Sequence, residues 1–159
     1  MRDRAIGCVS GARRSALAFV LVMFPSLFVP AAADTVMCGA TVLDDLKLDA
    51  DLVCAAGALV IGADGVKLNL NGHSITGAGV GIGLDAAGRT GVSIVGGSIQ
   101  NFATGVRLMN STDVGIKGTM LANNGDGVDV QSGSSRISIK DNDVLGSRTR
   151  GIMLRGGTS

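Results

Sequence analysis

Beyond residue 33, this 159-residue chain lacks proline, glutamate, tryptophan and tyrosine, and has one aromatic residue, Phe102. Few helix formers remain, whereas glycine, valine, isoleucine, asparagine and aspartate are abundant, so the composition argues against a helical protein. Four of the 14 basic and one of the 13 acidic residues lie in 1–33, which leaves ten basic and twelve acidic residues and a net charge of −2 in 34–159. That charge gives no basic footprint for nucleic acid, so no nucleic-acid partner is expected.

The first 33 residues have the features of an export signal. Arginines 2, 4, 13 and 14 precede an apolar run at 15–29, and the alanines at 31–33 offer a cleavage site before Asp34. The sequence predicts a signal peptide at 1–33 and a secreted or periplasmic protein with no stable membrane span after cleavage. An uncleaved anchor is the alternative, although the apolar run is short for a span.

Cysteine is scarce as well. Cys8 lies in the predicted signal, so an exported protein would retain only Cys38 and Cys54. An even pair in an oxidising compartment predicts a disulfide. A metal site built on the two cysteines is the rival interpretation, but it lacks further cysteine or histidine ligands nearby. The only histidine, His73, is predicted to be a corner residue that is solvated or locally bonded, and no metal site is predicted.

What the chain does have is a repeat. The pattern apolar-x-apolar-x-(Gly/Asp)-x-x-apolar begins at Leu68, Val92, Val114 and Ile137, and a second signature begins with the glycines at 81, 105, 127 and 151. A period of 22–24 residues with short alternating apolar runs predicts stacked strands rather than helical repeats. We therefore predict an all-β, right-handed parallel β-helix of about five coils over 46–159, preceded by a cap region at 34–45.

Stacking converts the repeat into columns of side chains, one strand spacing apart. Aligning the copies on their first letters predicts four inward columns: Leu68/Val92/Val114/Ile137, Leu70/Ile94/Ile116/Ile139, Ile75/Ile99/Leu121/Val144 and Ile82/Val106/Val128/Ile152. The same alignment predicts two outward columns: Val60/Gly83/Arg107/Asp129/Met153 and Asp49/Asn71/Val95/Lys117/Lys140. Asn101 and Asn123 are predicted to share a turn.

The opening of the repeat region, "CGATVLDDLKLDADLVC" followed by "LNLNGHSITG", resembles secreted bacterial proteins of the pectin-lyase-like superfamily. That resemblance covers the chain from residue 34 onward and implies the right-handed parallel β-helix. It does not imply one activity, because the superfamily contains lyases, hydrolases, epimerases and proteins without known chemistry.

Two outward groups are candidate functional sites. Arg107, Asp126 and Asp129 resemble the acidic and basic residues of polyuronate-acting β-helix enzymes and are the candidate catalytic residues, unless they form only a surface ion pair. Lys117 and Lys140, one strand apart, are candidate anion ligands unless both are simply solvated. No cofactor is expected, and Ca²⁺ enters only if the chain is enzymatic.

The scarcity of aromatic residues and the short turns favour a non-catalytic protein. The expected function is a secreted structural or surface-binding module with polysaccharide as a partner. The alternative is a fragment or remnant of a polysaccharide lyase, hydrolase or epimerase. No terminal cap is recognisable after the coil at 137–159, so end-to-end self-association through an open C-terminal coil is a further expectation.

Overall fold

The structure is a computed structural model that describes residues 36–156, so the predicted signal at 1–33 lies outside the described residues. Three short strands form each coil of a β-solenoid, and no helix occurs between residues 36 and 156. The strands are β1 (Ala40–Val42), β2 (Leu46–Lys47), β3 (Leu52–Val53), β4 (Leu59–Ile61), β5 (Lys67–Asn69), β6 (Ser74–Thr76), β7 (Ile82–Asp85), β8 (Ser93–Val95), β9 (Ser98–Gln100), β10 (Thr104–Leu108), β11 (Gly115–Lys117), β12 (Met120–Ala122), β13 (Asp126–Val130), β14 (Ser138–Lys140), β15 (Asp143–Leu145) and β16 (Arg150–Leu154).

Each strand pairs in parallel with the equivalent strand of the next coil, which produces three sheets along the solenoid. The β1 sheet has six strands in the order β1-β4-β7-β10-β13-β16. The β2 sheet (β2-β5-β8-β11-β14) and the β3 sheet (β3-β6-β9-β12-β15) have five strands each. The predicted all-β parallel fold of about five coils is therefore confirmed.

Apolar side chains from all three sheets fill the interior, because alternate residues of a strand point to the same side. The predicted column Ile75/Ile99/Leu121/Val144 is confirmed, and Leu52 begins it. The other inward columns contain an error of two residues in one coil. Leu68 stacks on Ile94 rather than on Val92, and Leu84, not Ile82, stacks on Val106.

Two corners explain this error. The link from Leu68 to Ile75 and the link from Ile75 to Leu84 are each two residues longer than the matching links in the next coil. A shift of two residues leaves every side chain on the same face of its strand, whereas a shift of one would reverse it. The alternating pattern alone therefore could not distinguish the two registers.

Asparagine residues shape the corners of the solenoid. Asn101 and Asn123, predicted to share a turn, both have positive φ (60° and 55°), a backbone region that asparagine tolerates. The next residue, Asn124, is fully buried; its Oδ1 accepts from the Phe102 amide at 2.9 Å and its Nδ2 donates to the Ile99 carbonyl at 3.0 Å. The side-chain amide that hydrogen-bonds to the preceding coil is thus that of Asn124, one residue after Asn123 of the predicted turn column.

The ends of the core differ from its middle. Near the N-terminal end, Cys38 and Cys54 form a disulfide, as predicted. In the middle, the fully buried Phe102 ring lies against Gly77 and Gly83 of the preceding coil, where a Cβ would collide with it.

Among residues 36–156, no helix is long and apolar enough to cross a membrane.

Candidate functional site

The outer face of the β1 sheet carries a column of charged residues. Strand register aligns Val60, Asp85, Arg107, Asp129 and Met153. The predicted column placed Gly83 where Asp85 stands, because it contained the same two-residue error as the inward column beside it. The corrected register adds an acidic residue on the other side of Arg107, so charges alternate in sign across three adjacent strands.

Arg107 is bound to Asp85. Its Nε donates to Asp85 Oδ1 at 3.2 Å, and its Nη2 donates to Asp85 Oδ2. These hydrogen bonds raise the pKa of the Arg107 guanidinium, and the charges of Asp85 and Asp129 add to the effect. The predicted backbone neighbours Arg107 and Asp129 are confirmed as register partners, but the Arg107 side chain turns to Asp85. A two-pronged arginine–carboxylate contact fixes the guanidinium plane as well as its charge.

Asp129 lies beneath this surface and is only 4% exposed. Its Oδ2 accepts from Gln131 Nε2 at 2.8 Å, and its Oδ1 lies 3.2 Å from Arg155 Nε. That second contact is an ion pair without hydrogen-bond geometry, since Asp129 Oδ1 has no hydrogen-bond partner. The polar contacts of Asp129 are therefore a hydrogen bond from Gln131 and an ion pair with Arg155 rather than a contact with Arg107.

Asp126, the third candidate, stands at the start of β13 and faces the same arginine. Its Oδ2 lies 3.9 Å from Arg155 Nη2, and its buried Oδ1 has no hydrogen-bond partner. The Asp126 side chain is 14% exposed and that of Arg155 is 53% exposed. The sequence candidates Arg107, Asp126 and Asp129 thus lie on one face, but they do not pair with one another. Asp85 pairs with Arg107, and Arg155 lies next to both Asp126 and Asp129.

We name Asp85, Arg107, Asp126, Asp129, Gln131 and Arg155 the charge ladder. The carboxylates of the charge ladder are largely buried, whereas Arg107 and Arg155 keep 33% and 53% of their side chains exposed. Solvent therefore meets guanidinium groups first. Beside Asp85 and Val60 the same face has a depression of about 400 Å³.

Sequence reasoning missed Asp85, Gln131 and Arg155. Asp85 could have been found by aligning Gly83, rather than Gly81, with Gly105 and Gly127, because "GLDA" then matches "GVRL" and "GVDV". Gln131 and Arg155 lie just beyond their strands, where the repeat pattern assigns no face. Only their contacts with Asp129 in the folded chain reveal them.

The second candidate pair occupies the outer face of the β2 sheet. Lys117 and Lys140 are register neighbours, as predicted, and both are exposed. Val95 precedes them in the column, also as predicted. The first two members were wrong by two residues: Lys47 and Asn69, not Asp49 and Asn71, begin the column. Lys117 Nζ lies 3.9 Å from Asp141 Oδ2, so one lysine of the pair already has an acidic neighbour. Anion binding there stays a prediction.

Metal-donor side chains are scattered over the molecule. His73 Nδ1 lies 3.3 Å from Asp51 Oδ1, and both cysteines that the structure describes are in the disulfide. Met37, Met109 and Met120 are exposed at separate places, and Met153 ends the outward column of the charge ladder. In the part of the chain that the structure describes, no three His, Cys, Asp or Glu side chains are grouped to hold a metal ion.

The protein-family model described as "NosD: Periplasmic copper-binding protein (NosD)" matches residues 45–159, which is most of the chain and all of the predicted coils. No curated protein and no solved structure matches.

Proposed function

The chain belongs to the NosD family of periplasmic copper-binding proteins, and we propose that it is a non-catalytic β-helix module that binds acidic polysaccharide. The binding surface is the outer face of the β1 sheet around the charge ladder. The family is periplasmic, and we place this chain in the periplasm after removal of residues 1–33. Mass spectrometry of the exported protein should give the intact mass of a chain that begins at Asp34.

One observation carries the proposal: guanidinium groups cover buried carboxylates. Arginine presents planar pairs of donors that match a carboxylate, as in a uronic acid residue. Arg107 and Arg155 lie on the same sheet face, so an extended acidic chain can meet both. The acids beneath them fix the arginines in place and are themselves shielded from a substrate.

The same geometry supports a binding role rather than catalysis. A general acid or base must reach the substrate proton directly or through one water molecule. Asp129 is almost fully buried and bonded to Gln131, and Asp85 is occupied by Arg107. The proposal therefore assigns these carboxylates to positioning the arginines.

The alternative is a remnant of a polysaccharide lyase, hydrolase or epimerase. The free Oδ1 atoms of Asp126 and Asp129 favour it, because buried polar atoms without partners are uncommon away from functional sites. Both carboxylates lie next to Arg155, which contacts Asp126 through Oδ2 and Asp129 through Oδ1, so movement of that half-exposed side chain would open them to a ligand.

Copper, which the family description names, does not fit the donor side chains of this chain. Copper sites draw on imidazole, thiolate and thioether ligands that converge on one point. Here His73 faces Asp51 and the two described cysteines form a disulfide, so neither imidazole nor thiolate joins a group of donors in the described residues. We derive no copper-dependent step.

Binding to polygalacturonate and alginate, measured by affinity electrophoresis, tests the proposal. We expect Arg107→Ala and Arg155→Ala each to weaken retardation about tenfold, equivalent to one lost charged contact of about 1.4 kcal/mol. Lys117→Ala, which removes an exposed cation from another face, is the matched control. Equal retardation of all three variants would contradict the proposed surface.

The same polysaccharides distinguish the alternative when product formation is followed with and without Ca²⁺. The binding module should yield neither unsaturated ends nor new reducing ends. Cleavage that Asp129→Asn abolishes would instead establish the enzymatic alternative.

A further inference from the structure

The outer face of the β1 sheet has a hollow next to the charge ladder. The depression of about 400 Å³ is bounded by Val60 and Ile82, and Asp85 is the one charged residue among the described residues that line it. Strand register places Val60 beside Asp85 and Asp85 beside Arg107. A ligand that contacts Arg107 therefore meets the depression one strand further toward the N-terminal end of the solenoid.

Glycine residues make the hollow. Gly39, Gly57 and Gly81 line it, and none carries a side chain that could fill it. A Cβ at Gly81 would lie 2.7 Å from the Gly57 amide nitrogen, so the backbones of two adjacent coils are in close contact here. Backbone hydrogen bonds cross the floor: the Gly39 amide donates to the Ala58 carbonyl at 2.6 Å, and the Ala58 amide donates to the Ile82 carbonyl at 3.0 Å. With these groups paired, the side chains of the lining select the ligand.

The lining suits a neutral sugar residue. Val60 is 41% exposed and Ile82 is half-buried, so both offer apolar surface for the C–H groups of a pyranose ring. Asp85 keeps 17% of its side chain exposed and can accept from a sugar hydroxyl. A uronic acid residue would instead bring a second carboxylate toward Asp85, and no cation lies among the described residues of the lining to offset the repulsion.

The neighbouring position on the charge ladder has the opposite preference. The Arg107 guanidinium, one-third exposed, binds Asp85 and still offers donors to a ligand carboxylate. Arg107 stands one strand spacing, about 4.8 Å, from Asp85 along the solenoid. A pyranose residue of an extended chain is comparable in length, so a chain that crosses the strands puts consecutive residues at the depression and at Arg107.

We propose, on the premise that the charge ladder binds acidic polysaccharide, that the depression binds a neutral sugar residue next to the uronic acid residue held by Arg107. The ligand class is then an acidic heteropolysaccharide, in which neutral residues adjoin acidic ones, rather than a homopolymer of uronic acid. Homopolymers still meet Arg107 and Arg155, but they place a carboxylate beside Asp85 and should bind more weakly.

Two tetrasaccharides test the proposal by titration calorimetry with the exported protein. A hyaluronan tetrasaccharide alternates glucuronate with neutral N-acetylglucosamine, whereas tetraglucuronate has an acid on every residue. We expect the hyaluronan fragment to bind about tenfold more tightly, although net charge alone favours tetraglucuronate. Tighter or equal binding of tetraglucuronate would overturn this inference and leave the proposed function standing, whereas binding of neither fragment would overturn both.

Filling the depression identifies it as the site. Gly57→Leu should lower the affinity for the hyaluronan fragment about tenfold and leave that for tetraglucuronate unchanged. Gly57 is exposed, and a Cβ there would lie at an ordinary 3.5 Å from the Ile82 carbonyl oxygen, so the fold should accept the substitution. Gly115→Leu, on the β2 sheet where a Cβ meets nothing within 4 Å, is the matched control. An unchanged affinity for the hyaluronan fragment, or an equal loss for both fragments, would overturn the assignment.

Adding a cation should abolish the selectivity. Val60→Lys places an ammonium group beside Asp85, so tetraglucuronate should bind more tightly and the preference for the hyaluronan fragment should disappear. Val53→Lys adds the same charge at a residue 79% exposed on the outer face of the β3 sheet and should preserve the preference. A preference that survives Val60→Lys would show that Asp85 does not select the neutral residue. Circular dichroism and thermal unfolding of all four variants should match the parent.

Discussion

The outer faces of the β1 sheet and the β2 sheet place charges on adjacent strands in the same way, yet the charges end in different environments. On the β1 sheet, Asp85, Arg107 and Asp129 alternate in sign, and Asp129 is buried. On the β2 sheet, Lys117 and Lys140 have the same sign, and both stay exposed.

The difference shows that the order of charges along the stack decides what a solenoid face can bury. Opposite charges at strand spacing draw together, and the longer side chain, arginine, covers the shorter one. Like charges at the same spacing must extend into water to separate. A face with alternating signs can therefore bury its carboxylates, and a face with one sign stays exposed to solvent.

Removing the buried member of the charge ladder should have the largest effect on stability. Asp129→Ala leaves Gln131 without its acceptor and Arg155 without its nearest carboxylate oxygen, so we expect a loss of about 1–3 kcal/mol. Urea unfolding followed by circular dichroism measures the loss. Asp141→Ala, at the exposed partner of Lys117, should cost less than about 0.5 kcal/mol. Equal losses would show that burial does not distinguish the two faces.

Changing Arg107 to lysine should have an intermediate effect, since the charge remains but the two-pronged contact with Asp85 is lost. Because the Arg107 side chain is one-third exposed, we expect about 0.5–1 kcal/mol of destabilisation. Lys140→Arg is the matched reverse substitution on the outer face of the β2 sheet and should leave the free energy of unfolding unchanged. A neutral Arg107→Lys variant would show that geometry at Asp85 is unimportant to the fold.

The lysine pair should influence stability only through bound anions. Lys140→Gln should change the unfolding free energy by no more than about 0.5 kcal/mol in dilute buffer. Added phosphate should raise the Tm of the parent slightly and leave Lys140→Gln unchanged, if the two lysines bind one anion. The same Tm increase in both proteins would contradict the predicted anion site.

The smallest effect is expected at an exposed ion pair of opposite charges outside both faces. Arg136 Nη2 donates to Asp113 Oδ2 at 2.8 Å, and this hydrogen bonding, followed by the Arg136 charge, lowers the pKa of Asp113 below its ordinary 3.8. A lowered carboxyl pKa stabilises the fold above that ordinary value, and the contribution is lost as pH falls through the lowered one.

Asp51 behaves in the same way, because the Ser74 backbone amide donates to it and lowers its pKa. Acid titration of thermal stability should therefore show a small decline below pH 3.8. Asp113→Asn should reduce that decline and lower stability at neutral pH by the same small amount, because both measure the contribution of this carboxylate. A decline that is unaffected by the substitution would assign the acid sensitivity to other carboxyls.

The sequence was sufficient to predict the parallel β-solenoid of about five coils, the disulfide and the register neighbours Arg107 and Asp129. It failed at the register of one coil, since the corners before Ile75 and before Leu84 each contain two extra residues. A pattern that alternates every second residue is unchanged when the strand register shifts by two residues. For this reason Gly83 was assigned the place that Asp85 occupies. The roles of Gln131 and Arg155 depend on side-chain directions beyond strand ends, which no repeat encodes.

The burial of Phe102 has a practical consequence for anyone who measures these effects. Without tryptophan or tyrosine, the chain is almost silent in near-ultraviolet absorbance and in intrinsic fluorescence, so neither reports its unfolding. Its sole aromatic ring in the described residues is enclosed in the central coil against Gly77 and Gly83 of the coil before it. In protein that lacks residues 1–33, which contain the other three phenylalanines, a fluorine label on that ring would give a single signal that reports whether neighbouring coils separate one at a time or all together.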